Sequence, residues 1–406
     1  MRCAVCKGRG FCGTSCPILQ SLKKYQPKIS NEFSGSSPPE IFVGRWNYPN
    51  VWTGILAPVE HGETEKLSMP EVWHAEQADI SKILEYRSQL IYSRFVSNVS
   101  HANQNKNQNR KALELMQEIA LASKSTSVEI VLKKKPAFKV GFDAYLPIIG
   151  NPAQLKYARL QENPKVEKKV DYLTSDSDVK ASTAIAELHE SRIATSSIIK
   201  ILSAGMLGLK QRRKLVPTRW AVTATDSTIS NLLLEKIKYY PQINSFLLFN
   251  SEYIGNHYEI LLFPAEFSFE VLEAKFSGSV WNPSKELYIC ADYESWYGRK
   301  EYASNVGGGY YAPRLAVMEY LSAIKRQASV LIMRECRPEY WAPCGVGILR
   351  ETVREALSKK PEKFDNLQAA LDSAQKRMKL PVSSFLEKSK IFSEHKKQKR
   401  LSDFLN

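Results

Sequence analysis

Apolar residues recur every three or four positions in four parts of the chain, and this spacing predicts helices with one face in a core. The first pattern runs from Ile80 to Phe95, and the second runs from Leu315 to Ile324. A third repeats every four residues from Ile348 to Leu357, and a fourth extends from Phe364 to Met378. We therefore expect four amphipathic helices packed on a core.

Shorter apolar runs predict strands, which lie at 128–132, 245–249, 258–263, 287–290 and 329–333. The second and third runs flank a turn with Gly255 and Asn256, which indicates an antiparallel hairpin. Strands and helices are mixed without regular alternation. This order favours an α+β fold in which helices pack on a mixed or antiparallel sheet.

Composition divides the 406 residues into three parts. Residues 1–20 hold four of the seven cysteines and predict a small metal module, and residues 21–385 have the composition of a globular body. Residues 386–406 form a polar tail that is expected to be flexible. The Asn- and Gln-rich stretch at 101–109 suits an exposed loop and could separate two subdomains of the body.

The N-terminal cysteines follow the spacing C-x2-C-x5-C-x3-C at Cys3, Cys6, Cys12 and Cys16. Four thiolates in two close pairs are typical of a closed structural zinc site, so we expect zinc as the cofactor. The alternatives are an iron–sulfur cluster, whose ferredoxin spacing is shorter in the middle, and free thiols. The other cysteines lie among apolar residues and are interpreted as buried core thiols: Cys290, Cys336 and Cys344.

The balance of 57 Lys and Arg against 42 Asp and Glu gives a formal net charge of +15, which favours a polyanionic partner. No secretory signal and no apolar run of bilayer length occurs, so we expect an intracellular, cytoplasmic protein without a membrane partner. A basic run supplies the candidates for nucleic-acid contact: Lys210, Arg212, Arg213 and Lys214.

Two segments combine features that a plain core does not need. The stretch 42–49 joins Gly44 and Arg45 to several aromatic rings, and it could present a stacking and phosphate-binding surface or a packed loop. The stretch 210–227 predicts an extended chain that enters a helix near Asp226. Asp226 or Ser227 is interpreted as the helix cap, with Asp226 as a catalytic acid as the alternative.

A third segment begins with three glycines at 307–309 and places Pro313 in the expected first turn of a helix. A helix N-terminus beside Arg314 would attract phosphate. Together with later charged residues, these segments supply the candidates for catalysis: Arg219, Asp226, Arg314, Arg334, Glu335 and Arg350. The alternative is that these residues form internal ion pairs.

The last residues fit the pattern Q-x-x-h-x-x-F-h, with Gln398, Leu401, Phe404 and Leu405 at the defining positions. In a 3₁₀ turn, side chains three residues apart point the same way, so Leu401 and Phe404 would form one apolar plug. The polar residues 393–397 are interpreted as a flexible tether. The octet is similar to the peptide by which many replication and repair proteins bind the sliding clamp PCNA.

The whole chain resembles the archaeal Nre family of DNA-repair proteins. The resemblance rests on the cysteine cluster, the clamp-binding tail and four internal segments: Phe42–Arg45, Leu215–Trp220, Gly308–Ala316 and Gly345–Val346 with Arg350–Glu351. It implies a role in the response to DNA damage, docked to PCNA and alongside nucleotide excision repair proteins. The resemblance implies no particular biochemical activity.

Three hypotheses follow from the sequence. The first is a zinc-bearing DNA-repair accessory that binds nucleic acid and docks on the clamp. The second is a nuclease or nucleotide-handling enzyme tethered to the clamp, and the third is an adaptor without DNA contact. Convergence of the catalytic candidates in one pocket would favour the enzyme, whereas internal pairing would favour the accessory.

Overall fold

A computed structural model describes residues 16–25, 27, 31–102, 109–136, 143–282, 284 and 286–397. Contacts divide the chain into two compact units. The N-terminal unit contains the described residues up to 229 together with 342–348. The C-terminal unit contains the described residues of 230–341 and 349–397.

The N-terminal unit mixes helices and strands. Its helices are α1 (Pro17–Lys24), α2 (Pro70–Ala75), α3 (Ile80–Gln89), α4 (Arg110–Leu121), α5 (Lys168–Ser175), α6 (Ala181–Glu190), α7 (Thr195–Ser203) and the first part of α8 (Thr218–Ile237). Its strands are β1 (Glu32–Ser37), β2 (Ile41–Val43), β3 (Asn50–Ala57), β4 (Ile91–Asn98), β5 (Thr126–Leu132) and β6 (Asn151–Leu160). Short 3₁₀ turns occupy Glu65–Leu67, Val99–His101 and Lys210–Arg212.

The sheet of this unit has the order β1-β5-β6-β4-β3-β2. Strands β4 and β6 are parallel, and the other neighbours are antiparallel, so the sheet is mixed. Ile91 and Phe95 of β4 point into a core that helix α4 completes with Leu113 and Met116. Because side chains alternate along a strand, Tyr92 and Arg94 lie on the opposite face.

The C-terminal unit also contains one six-stranded sheet, with the order β10-β9-β11-β8-β7-β12. Its strands are β7 (Phe246–Tyr253), β8 (Asn256–Phe263), β9 (Ser268–Lys275), β10 (Tyr288–Glu294), β11 (Ser329–Cys336) and β12 (Glu362–Phe364). Its helices are α9 (Gly308–Ile324), α11 (Leu367–Gln375), α12 (Val382–Leu386), α13 (Lys390–Lys397) and most of α10 (Gly347–Ser358). Strands β9 and β11 are parallel, and the other neighbours are antiparallel. The predicted α+β class with mixed sheets is confirmed in both units.

Both faces of the C-terminal sheet are buried. Ile260 and Leu262 pack on one face with residues of helix α9, while Leu261 and Phe263 pack on the other with residues of helix α11. All eight residues of β8 and of β11 are buried. The predicted hairpin is confirmed as the antiparallel pair β7 and β8, which turns at Ile254 and Gly255.

Two of the predicted helices are shorter than their apolar patterns. Helix α3 ends at Gln89, and the chain from Ile91 is a strand, because a spacing of four residues also places two side chains on one face of a strand. Phe364 likewise belongs to strand β12, and helix α11 begins only at Leu367. The helices predicted from Leu315 and from Ile348 are confirmed.

Two helices begin earlier than predicted. Helix α8 starts at Thr218 rather than near Asp226, so residues 218–225 are helical instead of extended, and Asp226 lies inside the helix instead of capping it. The Thr218 hydroxyl accepts a hydrogen bond from the Val43 backbone N–H at 2.9 Å, which ties this helix start to strand β2. Helix α9 starts at Gly308, so Pro313 lies within the helix instead of in its first turn.

The expected tether at 393–397 is wrong, because these residues belong to helix α13. The buried Glu270 carboxylate anchors the start of this helix by accepting hydrogen bonds from the Ser389 hydroxyl at 2.6 Å and from the backbone N–H groups of Lys390 and Ile391 at 2.9 and 3.1 Å. Burial raises the pKa of Glu270, although these hydrogen bonds oppose the rise. Within the described residues, no helix is long and apolar enough to cross a bilayer.

Candidate nucleic-acid interface

A cavity of about 260 Å³ opens in the N-terminal unit on the sheet face that carries Tyr92 and Arg94. Strands β2, β3, β4 and β6 contribute to its wall, and the segment 143–150 and the first turn of helix α8 complete it. The lining combines aromatic rings with four charged side chains: Arg45, Arg94, Asp143 and Arg219. Three guanidinium groups therefore face one carboxylate.

Asp143 holds two of these arginines in place. One carboxylate oxygen accepts a hydrogen bond from Arg219 Nη1 at 2.8 Å and lies 4.0 Å from Arg45 Nη2. The other oxygen accepts a hydrogen bond from the backbone N–H of Tyr145 at 2.8 Å. The Arg219 guanidinium also lies 4.1 Å from the centre of the Tyr145 ring, which adds a cation–π contact.

Arg94 differs from the other two arginines. Its guanidinium lies 4.3 Å from the centre of the Trp52 ring. Its Nε is buried and has no hydrogen-bond partner, and no carboxylate pairs with it, among the residues that the structure describes. A buried donor without an acceptor destabilises the fold, so an anionic ligand that accepts a hydrogen bond from this atom would remove that cost.

Aromatic rings form the remaining lining and extend beyond the cavity. Phe42 and Tyr92 meet edge to face at 5.3 Å, and burial raises the pKa of Tyr92, which keeps its phenol neutral. Outside the cavity, Tyr48 and Trp220 contact each other at 5.5 Å between ring centres. Trp46, which is 72% exposed, carries the Arg45 guanidinium 4.6 Å from its ring.

A buried ion triad supports the segment that closes the cavity. Arg87 donates hydrogen bonds to the Ile148 carbonyl at 2.7 Å and to Glu40 at 3.1 Å, and Lys200 lies 2.8 Å from the same Glu40 carboxylate. Gly150 allows the segment to approach the Leu90 carbonyl, because a Cβ there would lie 2.0 Å from that oxygen. The cavity wall is thus attached to α3 and α7.

The prediction for 42–49 identified part of this site but missed Arg94, Asp143, Trp52 and Tyr92. The available signal was the alternation along β4, where Tyr92 and Arg94 are out of phase with the apolar Ile91 and Phe95. Such alternation indicates a second, functional face only when the element is recognised as a strand.

The catalytic candidates in the C-terminal unit are paired in its interior. Arg334 forms a buried ion pair with Glu273 and a hydrogen bond with the Asn256 side chain. Although burial alone would lower it, the Glu273 carboxylate holds the pKa of Arg334 above its usual value. Glu335 accepts hydrogen bonds from Arg337 at 2.7 and 2.8 Å and from the Leu380 backbone N–H at 2.8 Å.

The glycine segment at the start of α9 packs closely against the buried pair of Arg334 and Glu273. A Cβ at Gly309 would lie 2.9 Å from a Glu273 oxygen and 3.1 Å from Arg334 Nη1, so the start of α9 rests on this buried pair. Arg314 is buried as well, with Glu294 at 2.6 Å and the Asn231 side chain at 3.0 Å. Its guanidinium is therefore used inside the unit.

The remaining candidates do not converge with these residues into one pocket of the C-terminal unit. Asp226 belongs to the N-terminal unit and is buried within α8, whereas Arg219 reaches the cavity. Arg350 is buried in the C-terminal unit. That unit has its own cavity of about 530 Å³, whose lining includes Glu266, Glu394 and His395 and no arginine or lysine.

The basic run contributes three exposed cations and one structural arginine. Lys210, Arg212 and Lys214 are exposed. Arg213 is buried, and it donates hydrogen bonds to three backbone carbonyls, those of Gly208, Thr174 and Asp176. Burial lowers the pKa of Arg213. Its assignment as a nucleic-acid contact is therefore wrong.

Most of the predicted metal and clamp residues lie outside the described part of the chain. These are Cys3, Cys6 and Cys12 at one end and Gln398, Leu401, Phe404 and Leu405 at the other. Cys16 is described; it is buried and directly precedes helix α1. Cys336 and Cys344 are buried thiols and Cys290 is half-buried, and burial raises the pKa of Cys290 and of Cys336 to about 11.

Comparison with known proteins identifies the family. The family model described as "Archaeal Nre, N-terminal" matches residues 11–282, and the model described as "Archaeal Nre, C-terminal" matches residues 294–404. The chain belongs to the archaeal Nre family. The resemblance predicted from the sequence motifs is thereby confirmed.

Three relatives that match the chain carry Nre names. DNA repair protein NreB of Archaeoglobus fulgidus is 36% identical over 406 residues, which cover 100% of both chains. DNA repair protein NreA of the same organism is 38% identical over 380 residues, covering 93% of this chain and 94% of the relative. DNA repair protein NreA of Haloferax volcanii is 36% identical over 349 residues, or 84% and 82% of the two chains. No solved structure matches the chain.

The internal pairing of Arg314 yields a stability prediction. Arg314→Met leaves the Glu294 carboxylate buried without its cation, so we expect a loss of about 3–5 kcal/mol in the free energy of unfolding. Urea unfolding followed by circular dichroism measures it. Adding Glu294→Gln should recover part of the loss, whereas Arg326→Met, at an exposed arginine, should cost little. If Arg314→Met is as stable as the wild type, the pair of Arg314 and Glu294 does not have the structural role assigned to it.

Proposed function

We propose that this protein is a DNA-repair accessory protein that binds nucleic acid and docks on the PCNA sliding clamp. The names of the three relatives support the repair role. The observation that carries nucleic-acid binding is the cavity in which Arg45, Arg94 and Arg219 face the single carboxylate of Asp143. Arginine is suited to phosphate recognition because its planar group offers several donors at once.

The pairing of Arg314, Arg334 and Glu335 favours the accessory over the nuclease or nucleotide-handling enzyme. A group that catalyses must reach a substrate, and these three side chains are buried with their charges paired to internal partners. The formal net charge of +15 supports the accessory over an adaptor that does not contact DNA.

The clamp-binding part of the proposal rests on the peptide from Gln398 to Leu405. Helix α13 packs against the C-terminal sheet through Ile391, Phe392 and His395 and ends at Lys397, directly before this peptide. Docking would therefore place the clamp next to the C-terminal unit. Nucleotide excision repair proteins are further proposed partners.

We also propose a structural zinc ion held by Cys3, Cys6, Cys12 and Cys16. The buried position of Cys16 at the start of helix α1 suits a ligand that joins a metal module to the folded body. Zinc would supply folding energy to a segment that is too short for a core of its own.

The first prediction of the proposed function concerns the dependence of DNA affinity on salt concentration. If about three arginines contact phosphates of single-stranded DNA, affinity should fall about twentyfold between about 50 and about 200 mM salt. Fluorescence anisotropy with a labelled oligonucleotide measures this. Replacing Lys210, Arg212 and Lys214 together by alanine shows whether the basic run adds to the salt dependence. Salt-independent binding would refute electrostatic DNA contact.

The second prediction concerns the clamp. The peptide should bind PCNA with micromolar affinity, about −8 kcal/mol. Phe404 and Leu405 should contribute roughly 1.5–3 kcal/mol each through burial, so Phe404→Ala with Leu405→Ala should abolish binding in calorimetry. Truncation before Gln398 should do the same, while Lys399→Ala with Arg400→Ala should weaken binding much less. Equal affinity of all variants would rule out docking through this peptide.

The third prediction concerns metal. Purified protein should contain about one zinc ion per chain, and Cys3→Ser with Cys6→Ser should remove it. Cys290→Ser is the matched control, because this thiol lies on strand β10 and is not one of the four proposed ligands, and it should leave the metal content unchanged. Iron with acid-labile sulfide in elemental analysis would establish the alternative cluster.

A further inference from the structure

We propose that the cavity of the N-terminal unit binds one unpaired nucleotide of single-stranded DNA, with the base against the aromatic lining and its phosphate against Arg94. This inference rests on the proposed function and adds the binding site and the form of DNA. Its strongest support is the difference between Arg94 and the two arginines held by Asp143.

Charge identifies the phosphate position. Asp143 neutralises part of the charge of Arg45 and Arg219 and fixes their orientation. Arg94 has no such carboxylate among the described residues, and its buried Nε lacks an acceptor. A phosphate oxygen is an acceptor that carries the missing negative charge, and charge-assisted hydrogen bonds are about twice as strong as neutral ones.

Size and shape favour a single nucleotide. A cavity of about 260 Å³ is slightly below the range of about 300–1,000 Å³ that is usual for small-molecule sites, so a dinucleotide cofactor is too large. Phe42, Trp52 and Tyr92 provide apolar ring surface inside it. A base within a duplex is stacked between its neighbours and cannot enter a concave site, whereas an unpaired base can.

Exposed rings at the rim of the cavity and outside it favour a polymer over a free nucleotide. Trp46, which lines the cavity, is 72% exposed, and Tyr48 and Trp220, which lie outside it, are 52% and 45% exposed, although large aromatic side chains are usually covered in folded proteins. Bases that precede or follow the bound nucleotide can stack on these rings. A free nucleotide would need only the cavity, so it leaves the exposure of Tyr48 and Trp220 unexplained.

The experiment compares three ligands: a labelled oligothymidylate, a hairpin duplex of equal charge and the mononucleotide dTMP. Wild-type protein should bind the oligothymidylate at least tenfold more tightly than either of the others, and binding should quench tryptophan fluorescence. Trp46→Ala and Arg94→Gln should each weaken single-strand binding about tenfold or more while leaving duplex binding nearly unchanged, because stacking and the phosphate contact are lost. Trp46→Phe should restore most of the affinity.

Matched controls separate the site from general charge and folding. Tyr297→Ala removes a ring that is 91% exposed, and Arg326→Ala removes an exposed positive charge, both in the C-terminal unit, and neither should affect single-strand preference. Because Trp46 is exposed, its replacement should leave the unfolding midpoint unchanged even if Arg94→Gln lowers it.

Two outcomes would overturn the inference while leaving the proposed function intact. In the first, the protein binds DNA but Trp46→Ala and Arg94→Gln bind the oligothymidylate like wild type. In the second, dTMP binds as tightly as the oligothymidylate, which would make the cavity a small-molecule site. Failure of the wild type to bind any DNA would instead overturn the DNA-binding part of the proposed function and the inference together.

Discussion

Arg334 and Glu273 lie opposite each other on the parallel strands β11 and β9, inside a sheet that is buried on both faces. An isolated charge at such a position would be very costly, so the two must be paired for the sheet to form. Their pairing then constrains the neighbours. Asn256 supplies an acceptor to the guanidinium, and Gly309 leaves room for the pair, because a Cβ there would lie 2.9 Å from a Glu273 oxygen and 3.1 Å from Arg334 Nη1. The start of helix α9 can therefore lie directly against the pair.

The requirement that buried charges be paired also explains why the two units differ in the charged side chains that a ligand can reach. In the C-terminal unit, helices cover both sheet faces, and its buried arginines at 314, 334 and 337 have acidic partners. In the N-terminal unit, the face with Tyr92 and Arg94 opens into a cavity, where arginines outnumber the acid. Unbalanced charge is tolerable there because water or a ligand can reach it. The residues available for binding are therefore those that the fold leaves unpaired.

Charged side chains that are not proposed to contact the ligand also hold the wall of the cavity in place. Glu40, Arg87 and Lys200 form a buried triad that attaches the Ile148 carbonyl to the body of the unit. Asp143 plays a comparable part closer to the ligand, since it orients Arg45 and Arg219. Binding residues that are held in place before the ligand arrives lose less side-chain entropy on binding.

The sequence by itself determined the features that depend on local spacing: the family, the α+β class, the existence of the helices predicted from Leu315 and from Ile348, and the hairpin of β7 and β8. It also indicated the aromatic and basic character of 42–49, which forms part of the cavity. Only the tertiary structure decided that the pattern from Ile80 splits into a helix and a strand, because a spacing of four residues fits both. It also decided which arginines are structural, since Arg334 meets a partner 61 residues away and Arg219 meets one 76 residues away. A partner so distant along the chain leaves no periodicity in the sequence, and only folding brings the two charges together.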